Sequence, residues 1–105
     1  MPNCHRGEID ANIGGRNRTL VLTLGALAEL EAAFGEGDLV ALAERFARGR
    51  MSARDLVRII GAGLRGAGDG VSDDEVAHMA VPGGAEGYVR IAVALIEATF
   101  GTADA

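Results

Sequence analysis

The sequence contains no lysine and no tryptophan, only two prolines and one cysteine, and its aromatic residues are three phenylalanines and one tyrosine. A single cysteine permits no internal disulfide, so nothing in the chain calls for an oxidising compartment. No apolar run reaches the ~18 residues that a membrane-spanning helix requires. The opening Met1-Pro2-Asn3-Cys4-His5-Arg6-Gly7 lacks the apolar stretch of a signal peptide. These absences lead to the expectation of a cytoplasmic protein with no membrane partner. All ten basic residues are arginine, and they are outnumbered by fifteen acidic ones, for a net charge of −5. The missing lysine reads as the mark of a GC-rich genome. An acidic domain has no positive field for phosphate contacts, so nucleic acid is not an expected partner.

What is present is a chain of 105 residues, 49% of them apolar, and that is the size of one domain spanning 1–105. Much of the apolar fraction is alanine. The core must therefore be thin, built from Leu, Ile and Val with close Ala and Gly contacts. Such domains often gain stability by burying further surface in an oligomer.

The chain reads as a tail over 1–6, a hairpin over 7–23 and a helical part over 24–101. Glu8 to Ile13 alternates polar and apolar. Gly14-Gly15 supplies the positive φ of a two-residue turn, and Arg16 to Thr23 returns as a second strand. This register pairs Ile13 with Arg16, Ala11 with Arg18 and Ile9 with Leu20, and it leaves Arg16 and Arg18 in water near the hairpin tip. The stretch Thr23–Gly35 then turns strand into helix, with Leu27, Leu30 and Phe34 on one face and Gly35 as a left-handed cap. It is read as the corner that gathers the core. Asp38 caps a second helix from Leu39 to about Arg48, with Leu39, Leu42, Ala43 and Phe46 on one side and Gly49 at its end. Arg45, Arg48 and Arg50 gather at that end, as terminal arginines ordinarily do; the alternative is a small basic patch for an acidic partner. Ser52-Ala53-Arg54-Asp55 is close to a capping box and opens a third helix to about Arg65. Gly61 and Gly63 in its second half favour close approach by another helix. Ser72-Asp73-Asp74-Glu75 is a full capping box and starts a short fourth helix. Val81-Pro82-Gly83-Gly84 breaks the chain. The last helix, about Ala85 to Phe100, carries one apolar face of Tyr88, Ile91, Ala92, Leu95 and Thr99 and a second of Val89, Val93, Ile96 and Phe100. Two apolar faces make it central, or leave one for another subunit.

Catalytic chemistry finds no foothold. Cys4 and His5 with the distant His78 fall short of the four ligands of structural zinc. Ser52 and Ser72 are better explained as caps than as nucleophiles, because neither has a base in view. Gly61 to Gly68 is neither a Walker A loop nor a dinucleotide fingerprint, and it ends a helix instead of joining a strand to one. The acids Asp73, Asp74 and Glu75 do not follow calcium-loop spacing. A helix-turn-helix reading of helices two and three has a suitable turn, but helix three is too apolar for recognition. The expectation is therefore no enzyme, no cofactor and no metal, with a small DNA-binding regulator as the third choice.

Thr23–Gly35 and Asp38-Leu39-Val40-Ala41-Leu42-Ala43-Glu44-Arg45-Phe46 resemble the small gene transfer agent family, encoded among tail genes of phage-like particles in alphaproteobacteria. Arg6-Gly7-Glu8-Ile9, the Gly-Gly hairpin, Ser52-Ala53-Arg54-Asp55-Leu56 and Ile60-Gly61-Ala62-Gly63-Leu64-Arg65-Gly66 extend the resemblance over residues 5 to 101. That family is similar to phage tail assembly chaperones and has also been labelled a tail tube protein. The resemblance implies a non-catalytic role in tail building, with the tape measure protein and possibly tube subunits as partners.

The fold expected is mainly α (α+β), an N-terminal β-hairpin followed by about five short helices, self-associating as a homo-oligomer. The function expected is that of a tail assembly chaperone; the alternative is a structural tail tube subunit. Partner binding is expected by a helix-in-groove mode at Ile59 and Gly63 of helix three and at Tyr88, Ile91 and Leu95 of the last helix, and at the hairpin, with Arg16 and Arg18, whose free edges suit self-association or a partner's strand.

Overall fold

The computed structural model describes residues 7–48 and 51–101. The expected N-terminal tail with Cys4 and His5, the pair Gly49 and Arg50, and Thr102 to Ala105 lie outside the described residues. In chain order the elements are β1 (Glu8–Ile13), β2 (Arg16–Val21), α1 (Leu24–Phe34), α2 (Leu39–Ala47), α3 (Ala53–Gly66), α4 (Asp73–Ala77) and α5 (Gly84–Phe100). The architecture is the expected one, an antiparallel hairpin followed by five helices.

The hairpin register is the one that a two-residue loop dictates: Ile13 opposite Arg16, Ala11 opposite Arg18, Ile9 opposite Leu20. Gly14 and Gly15 have φ of 67° and 87°, the left-handed pair that a type I′ turn requires. Ile13 and Leu20 are fully buried, while Asp10, Asn12, Asn17 and Thr19 stay exposed or half-exposed. On that outer face Asp10 accepts from Asn17 at 3.2 Å and from Thr19 at 3.0 Å. The turn is also tied down, because Gly14 N–H donates to the Ala80 carbonyl at 2.8 Å. The second strand ends at Val21, two residues short of expectation. Thr23 instead caps α1, its side chain accepting from the Ala26 N–H at 3.1 Å.

The helix ends follow from local chemistry. Gly35 closes α1 at φ 71°, Asp38 caps α2 through the Ala41 N–H at 2.7 Å, and α3 and α4 both begin with complete capping boxes, Ser52 with Asp55 and Ser72 with Glu75. Satisfying these otherwise orphaned donors is worth about 1 kcal/mol per cap.

The expected corner is not what the fold is built around. The centre is α3, not the Thr23–Gly35 helix. It packs on β2, α1, α4 and α5, and its buried residues run Leu56, Ile59, Ile60, Gly61, Ala62, Gly63 and Leu64. The apolar stripe there is nearly continuous because neighbours cover the helix on several sides. Gly63 is what allows the closest of these approaches. A Cβ at that position would lie 2.6 Å from Leu95 Cδ2 and 3.2 Å from Leu20 Cβ, so α5 and the hairpin both press on this one residue. Full burial of each Leu or Ile in such a core contributes about 1.5–3 kcal/mol.

Candidate functional site

Whichever surface is left open by this packing must carry any interaction, and α5 decides where that is. Its Ala92 and Leu95 are completely buried against the core, whereas Val89 and Val93, one turn apart on the opposite side, are 41% and 38% exposed. The helix therefore has one face spent on the fold and one left free. α2 stands beside the free face. It rests on α1, and reaches α5 through ring contacts: Phe46 meets Phe34 edge-on at 5.6 Å between centroids and Phe100 at 6.4 Å. All three phenylalanines of the chain thus form one row from α1 through α2 to α5. Arg45 lies over the Phe34 ring at 4.9 Å and pairs with Glu36 at 3.4 Å. Cation–π attraction of this kind closes the outer end of the row.

Between α2 and α5 the Phe46 and Phe100 end of the row borders a groove of about 460 Å³. Ala43, Phe46 and Ala47 form one wall, Val89, Val93, Ile96 and Phe100 the other, with Met51 also lining it and, among the described residues, Glu97 its only charge. Methionine and alanine make such a surface adaptable in shape. A slightly larger cleft of about 510 Å³ lies between α3 and α4, but Arg54, Arg58, Asp73 and Asp74 give it charges of both signs. Asp73 there is already held by Arg65 at 2.9 Å. The apolar groove is the surface whose exposure the fold itself leaves unexplained.

The residues expected to bind a partner are placed as follows. Ile59 and Leu95 are fully buried and Gly63 is buried between Leu95 and Leu20, so these three form the interior and offer nothing to a partner in this fold. The glycine-lined side of α3 is a packing seam. Tyr88 and Ile91 are half-buried on the core side of α5. Tyr88 reaches the Val76 carbonyl at 3.5 Å, and burial pushes its phenol pKa up. Arg16 is exposed as expected. Arg18 is not in water: its side chain is 11% exposed, donating to Asp69 at 2.7 Å and from Nε to the Ile13 carbonyl at 2.8 Å. The groove residues were present in the sequence pattern as the second apolar face of the last helix. The pattern could not say which of two faces would meet the core, and nothing marked Met51.

Among the described residues there is no group of three or more His, Cys, Asp or Glu able to hold a metal ion. His78 is occupied in the capping of its own helix, with Nδ1 2.8 Å from the Asp74 carbonyl. Gly61 to Gly66 lies inside α3, and Ser52 and Ser72 serve as caps. Arg65 sits between Glu29 and Asp73; burial pulls its pKa down, but hydrogen bonds and charge from both carboxylates outweigh it and hold the guanidinium above its ordinary value. No helix among the described residues is long and apolar enough to cross a membrane.

The chain is thus a small hairpin-and-helix domain whose described residues leave an apolar groove open between α2 and α5. Residues 6–102 match the family described as phage tail tube protein, GTA-gp10, and the chain belongs to that family. No curated protein and no solved structure matches the chain. Its place is thus with phage-like tail proteins.

Proposed function

We propose that this protein is a non-catalytic tail assembly chaperone, which holds apolar helices of the tape measure protein in the α2–α5 groove until the tail polymerises. The observation that carries the reading is the groove itself, an apolar channel bordered by Phe46 and Phe100 and walled by half-exposed valines. An amphipathic helix laid there would bury its apolar stripe against Val89, Val93, Ile96 and Phe100. The acidic surface, at a net −5, keeps such a complex soluble while the client is held. Co-expression with the tape measure protein of the same tail gene cluster tests the reading. Co-elution and a gain in the client's solubility are expected; a client that stays insoluble and fails to co-elute overturns it.

The second reading is a structural tail tube subunit, favoured by the description that the family carries. In that case strand edges of the hairpin would make subunit contacts. Particle composition separates the two. A chaperone is missing from finished tails, whereas a tube subunit is among their most abundant proteins.

A further inference from the structure

We propose that the free face of α5 is a self-pairing surface, on which two copies of this chain meet through antiparallel α5 helices about a two-fold axis beside Val93. The pairing does not depend on the chaperone reading; only its consequence for a client does.

Two charges left unpaired among the described residues border the valines. Arg90 and Glu97 lie one turn before and one turn after Val93 on the exposed side of α5, and neither makes an ion pair with any described residue. In a parallel pairing each would face its own copy, Arg90 on Arg90 and Glu97 on Glu97. A two-fold axis beside Val93 reverses this. It brings Arg90 of each copy alongside Glu97 of the other, twice by symmetry, while Val93 meets Val93 across the axis. Glu86, the remaining charge of α5 on this side, lies a further turn from the axis; the opposing Glu97 falls between it and Arg90, about 1.5 Å along the axis from the arginine and about 4.5 Å from Glu86, so the attraction is the closer contact. The apolar centre is continuous with the groove, so Val89 of one copy enters the other's channel beside Ile96. A sequence of plus, apolar and minus along one helix is self-complementary only when the second helix runs the opposite way.

The pairing covers the groove that the proposed function assigns to a client. Under that reading the free protein is stored as a closed pair, and a client helix binds by displacing the second copy.

Sedimentation of the purified chain, with no client present, tests the pairing over loadings from about 1 µM to about 1 mM. A concentration-dependent dimer is expected. Arg90→Glu sets like charges against each other at two places and should raise the dimer dissociation constant by about tenfold or more, from the worth of exposed ion pairs doubled by symmetry. Glu97→Arg should do the same. The double swap Arg90→Glu with Glu97→Arg restores opposite charges at unchanged net charge, and the dimer should return to within about threefold of its original affinity. On a Cys4→Ser background, Val93→Cys should oxidise to a covalent dimer. Glu86→Cys should not, because antiparallel copies of that position lie about 20 Å apart at 1.5 Å per residue. A chain that stays monomeric throughout, a double swap that fails to restore pairing, or a Glu86→Cys variant that crosslinks as readily as the Val93→Cys one overturns the proposal. Failure of the client to co-elute, with these results intact, would instead overturn the chaperone reading alone.

Discussion

Arg18 of the hairpin and Asp69 of the α3–α4 connection, 51 residues apart in sequence, are joined by an ion pair of 2.7 Å whose arginine is nearly sealed from water. The same guanidinium donates from Nε to the Ile13 carbonyl at 2.8 Å, so one side chain fastens the hairpin tip to itself and to the helical layer. With Gly14 bonded to Ala80, the hairpin is held at both helical connections beside it. That explains how a two-stranded sheet, marginal alone, persists here.

The first prediction follows from that pair. Arg18→Met keeps most of the side chain's volume and should cost about 1–2 kcal/mol, between the worth of an exposed pair and that of a charged hydrogen bond. Asp69→Asn should cost less, since Asp69 is the more exposed partner at 28%. Urea unfolding of both single variants and the double variant should give a coupling energy above about 0.5 kcal/mol. Full additivity would mean that the pair contributes nothing to holding the hairpin.

Two glycines of α3 should differ in how badly they tolerate a methyl group. At Gly63 the obstacles are side chains, Leu95 Cδ2 at 2.6 Å and Leu20 at 3.2 Å, which can yield by small repacking. At Gly66 the obstacle is the backbone carbonyl of Val21, which cannot move without moving β2. Alanine at either site gains about 1 kcal/mol of helix propensity, set against overpacking of about 1–3 kcal/mol. Gly63→Ala should therefore lower stability by about 0–2 kcal/mol, and Gly66→Ala by more. Thermal melts rank the two directly, at roughly 4–8 °C per kcal/mol for a domain of this size.

These sites also show how far the sequence can be read. Hairpin register, caps and helix order were all legible, because each depends on a few adjacent residues: Gly14-Gly15 for the turn, Ser52 with Asp55 and Ser72 with Glu75 for helix starts. Gly63 was legible as a place of close approach, but not which neighbour would arrive. What stayed hidden depends on residues far apart in the chain. Arg18 reads as a tip arginine until Asp69 is placed beside it, and Leu39, periodic with Leu42 and Phe46, proves 39% exposed. For the candidate site, both apolar faces of the last helix were visible, yet only the position of α3 decides that Leu95 goes inward and Val93 outward.

Tyr88, as the single tyrosine of the chain, reports its own titration without interference. Burial raises its phenol pKa above the ordinary 10.0. A phenol that holds its proton more tightly when folded leaves stability unaffected below the unfolded value. It weakens the fold as pH rises past that value, because ionisation then favours the unfolded chain. Phenolate absorbance should titrate later in native protein than in concentrated urea, and the melting temperature should begin to fall above about pH 10. Tyr88→Phe should remove that component of the alkaline loss at little cost at neutral pH, since the hydroxyl's hydrogen bond is a long one of 3.5 Å. Equal titration in native and denatured protein would place the hydroxyl in open solvent.

The last prediction separates fold from surface within two residues of one helix. Leu95 is fully buried against Gly63 and the core, and Val93 is 38% exposed over the groove. Glutamate at 95 would bury an unpaired carboxylate in place of the leucine, a loss of more than about 4 kcal/mol that a marginally stable domain cannot absorb. Val93→Glu adds its charge in water, between Arg90 and Glu97, and should shift stability by less than about 0.5–1 kcal/mol. Circular dichroism should therefore find Leu95→Glu unfolded and Val93→Glu folded, with a melt close to that of the parent. The folded variant is then the informative one for function. A carboxylate at the centre of the groove must be desolvated by whatever lies on it, so Val93→Glu should lose partner binding while keeping the fold. If it binds the tape measure protein as the parent does, the groove is not the docking surface for that client.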